Sequence, residues 1–312
     1  MSGISVAVVG ALEVAPQLGK KGTQSDLTLY NATREGHHAT IIEPTHFPEK
    51  FPPLLTALQM ADRALLVVNE LSKSVAETIA AVDLHDVPTL LVMGPSVGTD
   101  ELSRVLKGGR LENAPRMKLD LPRLRELVDE WSVPEDSEPV QVPLDHSFPV
   151  KGVGVVALGV VRHGTLRAHE ELRLWPSEKI VEARSLQVHD VDVKEARTGD
   201  RVGVALKGVD VDELSRGQIL AGPTTLRAGT VLVGERLRRC RYYRVDWGKG
   251  SQLHATIGLQ TVPVSVEEVS ATGVRLGADR PVAYAPGVVA YLSDLSATAG
   301  PRIVARVDLT SA

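Results

Sequence analysis

The sequence predicts an α/β doubly wound domain followed by two all-β barrel domains. Three observations carry this. Short branched apolar runs alternate with helix-period segments up to residue 137, an acidic, proline-bearing break follows at 132–139, and beyond it come glycine-punctuated runs of strand period with no further long helix. A chain of 312 residues is long enough for three such units, taken as 1–137, 138–222 and 223–312.

In the first unit, Ile4–Val9, Ala39–Ile42, Arg63–Val68 and Pro88–Met93 have the composition of buried parallel strands. Ser74-Val-Ala-Glu77 has capping-box spacing, with Val75, Ile79 and Val82 on one face of the helix it would open. A second helix is expected from Thr99, and a third from Pro122 to Trp131. The segment from Ser132 to Pro139 lacks any apolar period and reads as a linker. In the second unit the expected strands are Phe148–Val150, Gly154–Val161, Leu172–Leu174, Ala183–Val188 and Arg201–Leu206. In the third they are Thr230–Arg236, Leu253–Leu259, Val262–Val266, Val274–Leu276, Val288–Tyr291 and Arg302–Leu309. Many short strands with glycine turns indicate small closed barrels.

Composition narrows the function classes. A hydrophobic content of 43% excludes disorder and fibrous repeats. Lys+Arg 35 against Asp+Glu 39, a formal charge of −4, excludes nucleic-acid binding through bulk charge and leaves local basic patches open. Aromatic residues at 4% argue against a base-stacking platform. The single cysteine, Cys240, excludes a disulfide framework and a thiolate metal site within one chain. No apolar run reaches the roughly 18–20 residues of a membrane span, and no signal-like segment opens the chain, so a cytoplasmic protein is expected.

Specific motifs sharpen the reading. Asp145-His-Ser-Phe148-Pro-Val-Lys-Gly152-Val-Gly154, Ser185-Leu-Gln-Val-His189-Asp190, Ala196-Arg-Thr-Gly199-Asp-Arg201-Val-Gly203 through Gly208, and Arg216-Gly217-Gln-Ile-Leu220 together resemble the second domain of elongation factor Tu and its archaeal relatives. Gly250-Ser-Gln-Leu-His254-Ala-Thr-Ile-Gly258 resembles the third. The first unit resembles a P-loop GTPase domain with worn motifs. Val6 to Gly10 matches the strand and first glycine of a phosphate loop, but Pro16 and Gln17 stand at the lysine and hydroxyl positions, and proline removes an amide donor. Lys21-Gly-Thr-Gln-Ser-Asp26 resembles switch I with Gln24 at the magnesium-closing threonine, leaving almost no helix before it. Ile42-Glu43-Pro44-Thr45-His46 stands at switch II. Gly94-Pro-Ser-Val97 replaces the guanine-reading motif, with no carboxylate before Asp100. The combination resembles an archaeal SelB-like paralogue group of the selenocysteine-specific elongation factor.

This resemblance implies an elongation factor-like protein that binds aminoacyl-tRNA and works beside the ribosome, with neither membrane nor DNA as partner. GTP is the implied nucleotide, with Gly10, Gly19, Lys20, Lys21, Gly22 and Thr23 left to hold phosphates. With the phosphate-loop lysine, the switch threonine and the switch glycine replaced, little or no hydrolysis is expected and no catalytic residue is assigned. Phe148, His189 and Arg201 map onto the aminoacyl pocket, and a guanidinium at Arg201 calls for an anion or planar acceptor. Arg236, Arg238, Arg239 and Arg241 form a basic stretch suited to a tRNA stem, with Arg239 and Arg241 expected on one strand face. Competing readings are a solvated basic edge, core or strand-end roles for Phe148 and His189, an atypical GTPase using Gly19–Thr23 as its phosphate loop, and a protein-interaction module on the translation apparatus. His37, His38 and His46 with Glu35 and Glu43 form only a weak metal pattern, a turn after Gly36 serving equally well, and no metal is assigned.

Overall fold

The computed structural model describes residues 3–11, 13–34, 37–134 and 136–311. The first domain comprises β1 (Gly3–Val9), α1 (Ala15–Leu18), β2 (Lys20–Gln24), β3 (Thr28–Arg34), β4 (His37–Glu43), α2 (Pro52–Met60), β5 (Arg63–Val68), α3 (Lys73–Leu84), β6 (Thr89–Met93), α4 (Thr99–Leu106), β7 (Arg116–Lys118) and α5 (Leu121–Glu130). Its sheet runs β2-β3-β4-β1-β5-β6-β7, parallel from β4 to β7 and antiparallel across β2, β3 and β4. The central strands β1 and β5 are buried almost throughout and, Ser5 and Arg63 apart, carry no polar side chain, because helices cover both faces. Val14, Ala15 and Leu18 pack with Leu124 and Val128 on one face, and α2, α3 and α4 cover the other.

Helix boundaries follow local chemistry. At α3 the structure corrects the expected capping box: Ser72, not Ser74, is the N-cap, its Oγ accepting from the Val75 amide at 3.3 Å. Glu77 is thereby freed to pair elsewhere. In α5, Asp120 accepts from the Arg123 amide at 3.1 Å. Helix α2 has no amphipathic stripe to announce it, because Pro53, Leu54, Leu55, Thr56, Ala57, Leu58 and Met60 are all buried between the sheet and a barrel.

The second domain holds β8 (Gln141–Val150), β9 (Gly154–Val160), β10 (Thr165–Arg167), β11 (Glu170–Trp175), β12 (Lys179–Val188), β13 (Val191–Val193), β14 (Glu195–Arg197), β15 (Arg201–Lys207) and β16 (Ile219–Ala221). Six of these close in the order β11-β16-β8-β9-β15-β12, with β13 added to β12 and β10 paired with β14. The third comprises β17 (Arg227–Arg239), β18 (Gln252–Ile257), β19 (Gln260–Val269), β20 (Val274–Tyr284), β21 (Val289–Ser293) and β22 (Ile303–Leu309), closed as β17-β20-β19-β18-β21-β22. No helix among the described residues is long and apolar enough to cross a membrane.

The first and third domains are joined by one apolar core: Cys240, Leu259, Tyr291 and Ile303 pack in the same cluster as α2 and α3. Arg302 clamps Glu77 at 2.9 and 2.6 Å and lies 5.1 Å over the Phe51 ring. Gln59 donates to the Thr256 carbonyl at 3.0 Å and accepts from the Gly258 amide at 2.7 Å. The His85 ring stacks on Tyr291 at 4.9 Å and 6°. Burial, reinforced by the Arg110 and Arg306 charges, pushes the His85 pKa down to about 3.

That shift has a defined sign. In the unfolded chain His85 binds a proton below its ordinary value of 6.5, and in the folded chain only near 3, so stability is lost as pH falls through that window. The loss reaches about 2 kcal/mol at pH 5 for this group alone. The raised Glu43 and Asp200 act in the opposite direction. His85→Phe keeps the stacked ring and removes the proton site. Urea midpoints at pH 7 and pH 5 are expected to lie closer together in the variant, although it loses the bond that His85 Nδ1 accepts from the Val87 amide.

Candidate functional site

In a doubly wound sheet, ligands bind beyond the carboxyl ends of the strands where the strand order reverses, here at the end of β1 between β4 and β5. Gly10 sits there with φ +98°, its Cα against the Val67 carbonyl where no side chain would fit. The chain then makes only the four-residue α1, with Pro16 in its first turn, so no long helix points its amino terminus at this crevice. Glu43 ends β4, buried, and accepts from the Tyr30 hydroxyl at 2.7 Å. Burial raises the Glu43 pKa; the Glu13 charge adds to this, while Tyr30 and Lys21 oppose it. A buried carboxyl group thus stands at the end of β4, with the Glu13 charge near enough to raise its pKa. On the far side of the crevice Gly94 packs against Asn69, whose buried Oδ1 has no partner among the described residues.

The Gly19–Thr23 segment is an edge strand, not a turn around an anion. Lys20 pairs with Asn31 and Lys21 with Tyr30 in the antiparallel ladder, and both lysines are exposed. Its outer end is tied to the second domain. Thr23 Oγ1 accepts from Arg201 at 3.1 Å, and Asp26 pairs with Arg216.

Arg201 and His189 come together at this seam. Arg201 is 9% exposed, and its guanidinium grips Asp145 through two bonds of 3.0 and 2.9 Å. The anion that the sequence reading called for is thus supplied by the protein itself. Asp145 also bonds His146 Nδ1 at 2.6 Å, and His146 Nε2 is buried without a partner among the described residues. Although burial alone would raise the Asp145 pKa, Arg201 and His146 bring it below the usual carboxylate range. His189, at φ +50° in the β12–β13 turn, stacks on His38 of the first domain at 4.2 Å, and burial and the His38 charge lower its pKa. Below them the two backbones touch: Gly199, φ +93°, lies on the Gly3 carbonyl.

Phe148 lies apart from this pair. It pairs with Val156, which faces Ala205, whereas Arg201 faces Val160; the offset of four residues along β15 is about 13 Å. Its side chain is an exposed aromatic on the outer wall of the barrel.

The arginines of the third domain divide. Strand β17 ends at Arg239, so Arg241 does not share a strand face with it, contrary to the alternation read from sequence. Arg239 stacks 4.3 Å over Trp247. Arg241 turns back to the first domain, donating to the Lys107 carbonyl at 2.7 Å and lying 4.5 Å over Tyr242. Arg238 meets Asp86 at 3.2 Å, and Arg236 meets Asp308 at 2.6 Å with its side chain largely in solvent. Much of the basic stretch is therefore spoken for by intramolecular partners.

Among the described residues no group of three His, Cys, Asp or Glu is placed to hold a metal. His46 is exposed, His38 is engaged by His189 and Thr33, and Glu35 and Gly36 lie outside the described residues. The sequence reading missed Asp145, His38, Asp26 and Arg216 as partners at the seam. Asp145 and Asp26 stood inside motifs already singled out, and their charge beside apolar strand positions was the available signal.

Comparison with known proteins agrees with this geometry. Residues 154–221 match the family "Elongation factor Tu domain 2". An uncharacterized protein of Methanocaldococcus jannaschii is 35% identical over 95% of this chain and 97% of its own length. The selenocysteine-specific elongation factor of the same organism is 26% identical over 84% of this chain, which spans 61% of that factor. Elongation factor SelB from Methanococcus maripaludis, solved with the GTP analogue GppNHp, superposes with a TM-score of 0.85, covering 100% of this chain and 79% of that one at 20% identity, a likeness of fold. The chain belongs to the SelB-like group of the elongation factor Tu superfamily.

Proposed function

We propose that this protein binds aminoacyl-tRNA across its first two domains and the barrel of its third, in an arrangement that nucleotide does not gate, with little or no GTP hydrolysis. Family membership supports the tRNA ligand. The observation that carries the absence of a gate is the fate of the switch I segment. A nucleotide switch needs this segment to order and release with the γ-phosphate. Here it is β2, an edge strand of the sheet, fastened to the second barrel through Thr23–Arg201 and Asp26–Arg216. The carboxyl groups of Glu13 and Glu43 by the crevice further disfavour a phosphate chain there.

In this reading the His38–His189 stack and the Arg201–Asp145 pair shape the wall against which the aminoacyl end rests, and Arg236 and Arg239 face the tRNA backbone. The test is a filter-binding titration with charged and deacylated tRNA pools, with and without GTP. Charged tRNA is expected to bind more tightly, GTP to change that affinity less than about twofold, and raised salt to weaken both pools. A requirement for GTP would overturn the ungated arrangement, and equal binding of both pools would overturn the aminoacyl pocket.

A further inference from the structure

At the opposite end of the first sheet, under the amino ends of β5 and β6, a cleft of about 460 Å³ opens between α5 and the chain around Arg110. This volume lies within the range of small-molecule pockets. Its walls are Leu127, Trp131, Pro88 and Pro115, its cations are Arg63 and Arg110, and no carboxylate lines it. For a chain with more acidic than basic residues, that is a local reversal of charge.

The two arginines are incompletely used. Arg63 lies over the Trp131 ring at 5.0 Å and has no ion-pair partner among the described residues. Arg110 spends its terminal nitrogens on the Val87 and Val82 carbonyls at 3.2 and 2.6 Å and on Thr89 Oγ1 at 3.4 Å, which fixes its side chain, while its Nε is buried with no partner among the described residues. The stacked indole and guanidinium offer a flat platform beside the Arg110 charge.

We propose that this cleft is a binding site for a small organic anion: a negatively charged head group held between the Arg63 and Arg110 guanidinium groups, with a flat apolar body against Trp131 and Leu127. The site lies at the opposite end of the sheet from the nucleotide crevice, and none of its lining residues is among those assigned to tRNA, so it stands independently of the tRNA reading.

The test uses the full chain and two matched probes, anilinonaphthalene sulfonate and the uncharged N-phenylnaphthylamine. Fluorescence titration is expected to show saturable binding of the sulfonate at least about tenfold tighter than the neutral probe. Arg63→Gln is expected to remove most of that preference, and Leu127→Trp, which fills the cleft, to abolish binding, both with unchanged unfolding midpoints. Equal affinity for the two probes, or a sulfonate affinity unmoved by Arg63→Gln, would overturn the site. Should Leu127→Trp lower the unfolding midpoint, the comparison of probes on Arg63→Gln decides.

Discussion

Asp145→Ala is expected to destabilise the protein by about 3–5 kcal/mol, because it strands a guanidinium that is 9% exposed. The carboxylate now answers two Arg201 nitrogens and His146 Nδ1. Its loss leaves a buried cation, and the Arg201 bond to Thr23 loses the geometry that aims it. Urea unfolding measures the cost. The double variant Asp145→Leu with Arg201→Met removes both charges and is expected to recover most of the loss, since apolar replacement of a buried pair is often near neutral. A single-variant cost below about 1 kcal/mol would mean that the pair behaves as a solvated surface bridge. Because Arg201 also bonds switch I, the double variant separates stability from anchoring: it should be stable, yet bind charged tRNA less tightly.

Gly199→Ala is the second large effect, on the order of 3 kcal/mol, summing a left-handed backbone cost of about 1–2 kcal/mol with a collision between domains. An added Cβ at Gly199 would overlap the Gly3 carbonyl, so the second barrel must back away from β1. Gly152→Ala is the internal control, with φ +80° and nothing within 4 Å of the added atom. The difference in unfolding free energy between the two variants isolates the contact between domains. Loosening of the His38–His189 stack, read by a rise of the His189 pKa in NMR titration, is expected only in Gly199→Ala. Equal costs for both glycines would show that the barrel is not pressed against the sheet.

The parts of the fold that were legible in sequence are those where burial writes a period. Strands β1, β5 and β6 are near-continuous apolar runs, β4 carries a short one at Ala39–Ile42, and α5 has Leu124 and Val128 on one side. Helix α2 was invisible for the opposite reason, being buried all round. Strand β2 was read as a switch segment because Lys21-Gly-Thr-Gln-Ser-Asp26 resembles that motif, and only its pairing with β3 makes it a strand. At the seam, Arg201 and His189 were found through family resemblance, whereas Asp145 and His38 become their partners only when β8 and β15, and β4 and the β12–β13 turn, are brought together in space. Local spacing holds no record of such meetings. Arg241 was misplaced because nothing in an arginine-rich run marks where β17 stops.

The core shared by α2, α3 and the third domain has a consequence for how this protein is organised as an evolving object. Modular proteins gain and lose domains because each carries a closed interior; here Leu259, Tyr291 and Ile303 complete an interior that begins with Leu54 and Ile79. The first and third domains therefore form one cooperative unit, interrupted in sequence by the second barrel, which has its own core. The first domain is retained as the other half of the barrel's packing, whatever becomes of its crevice.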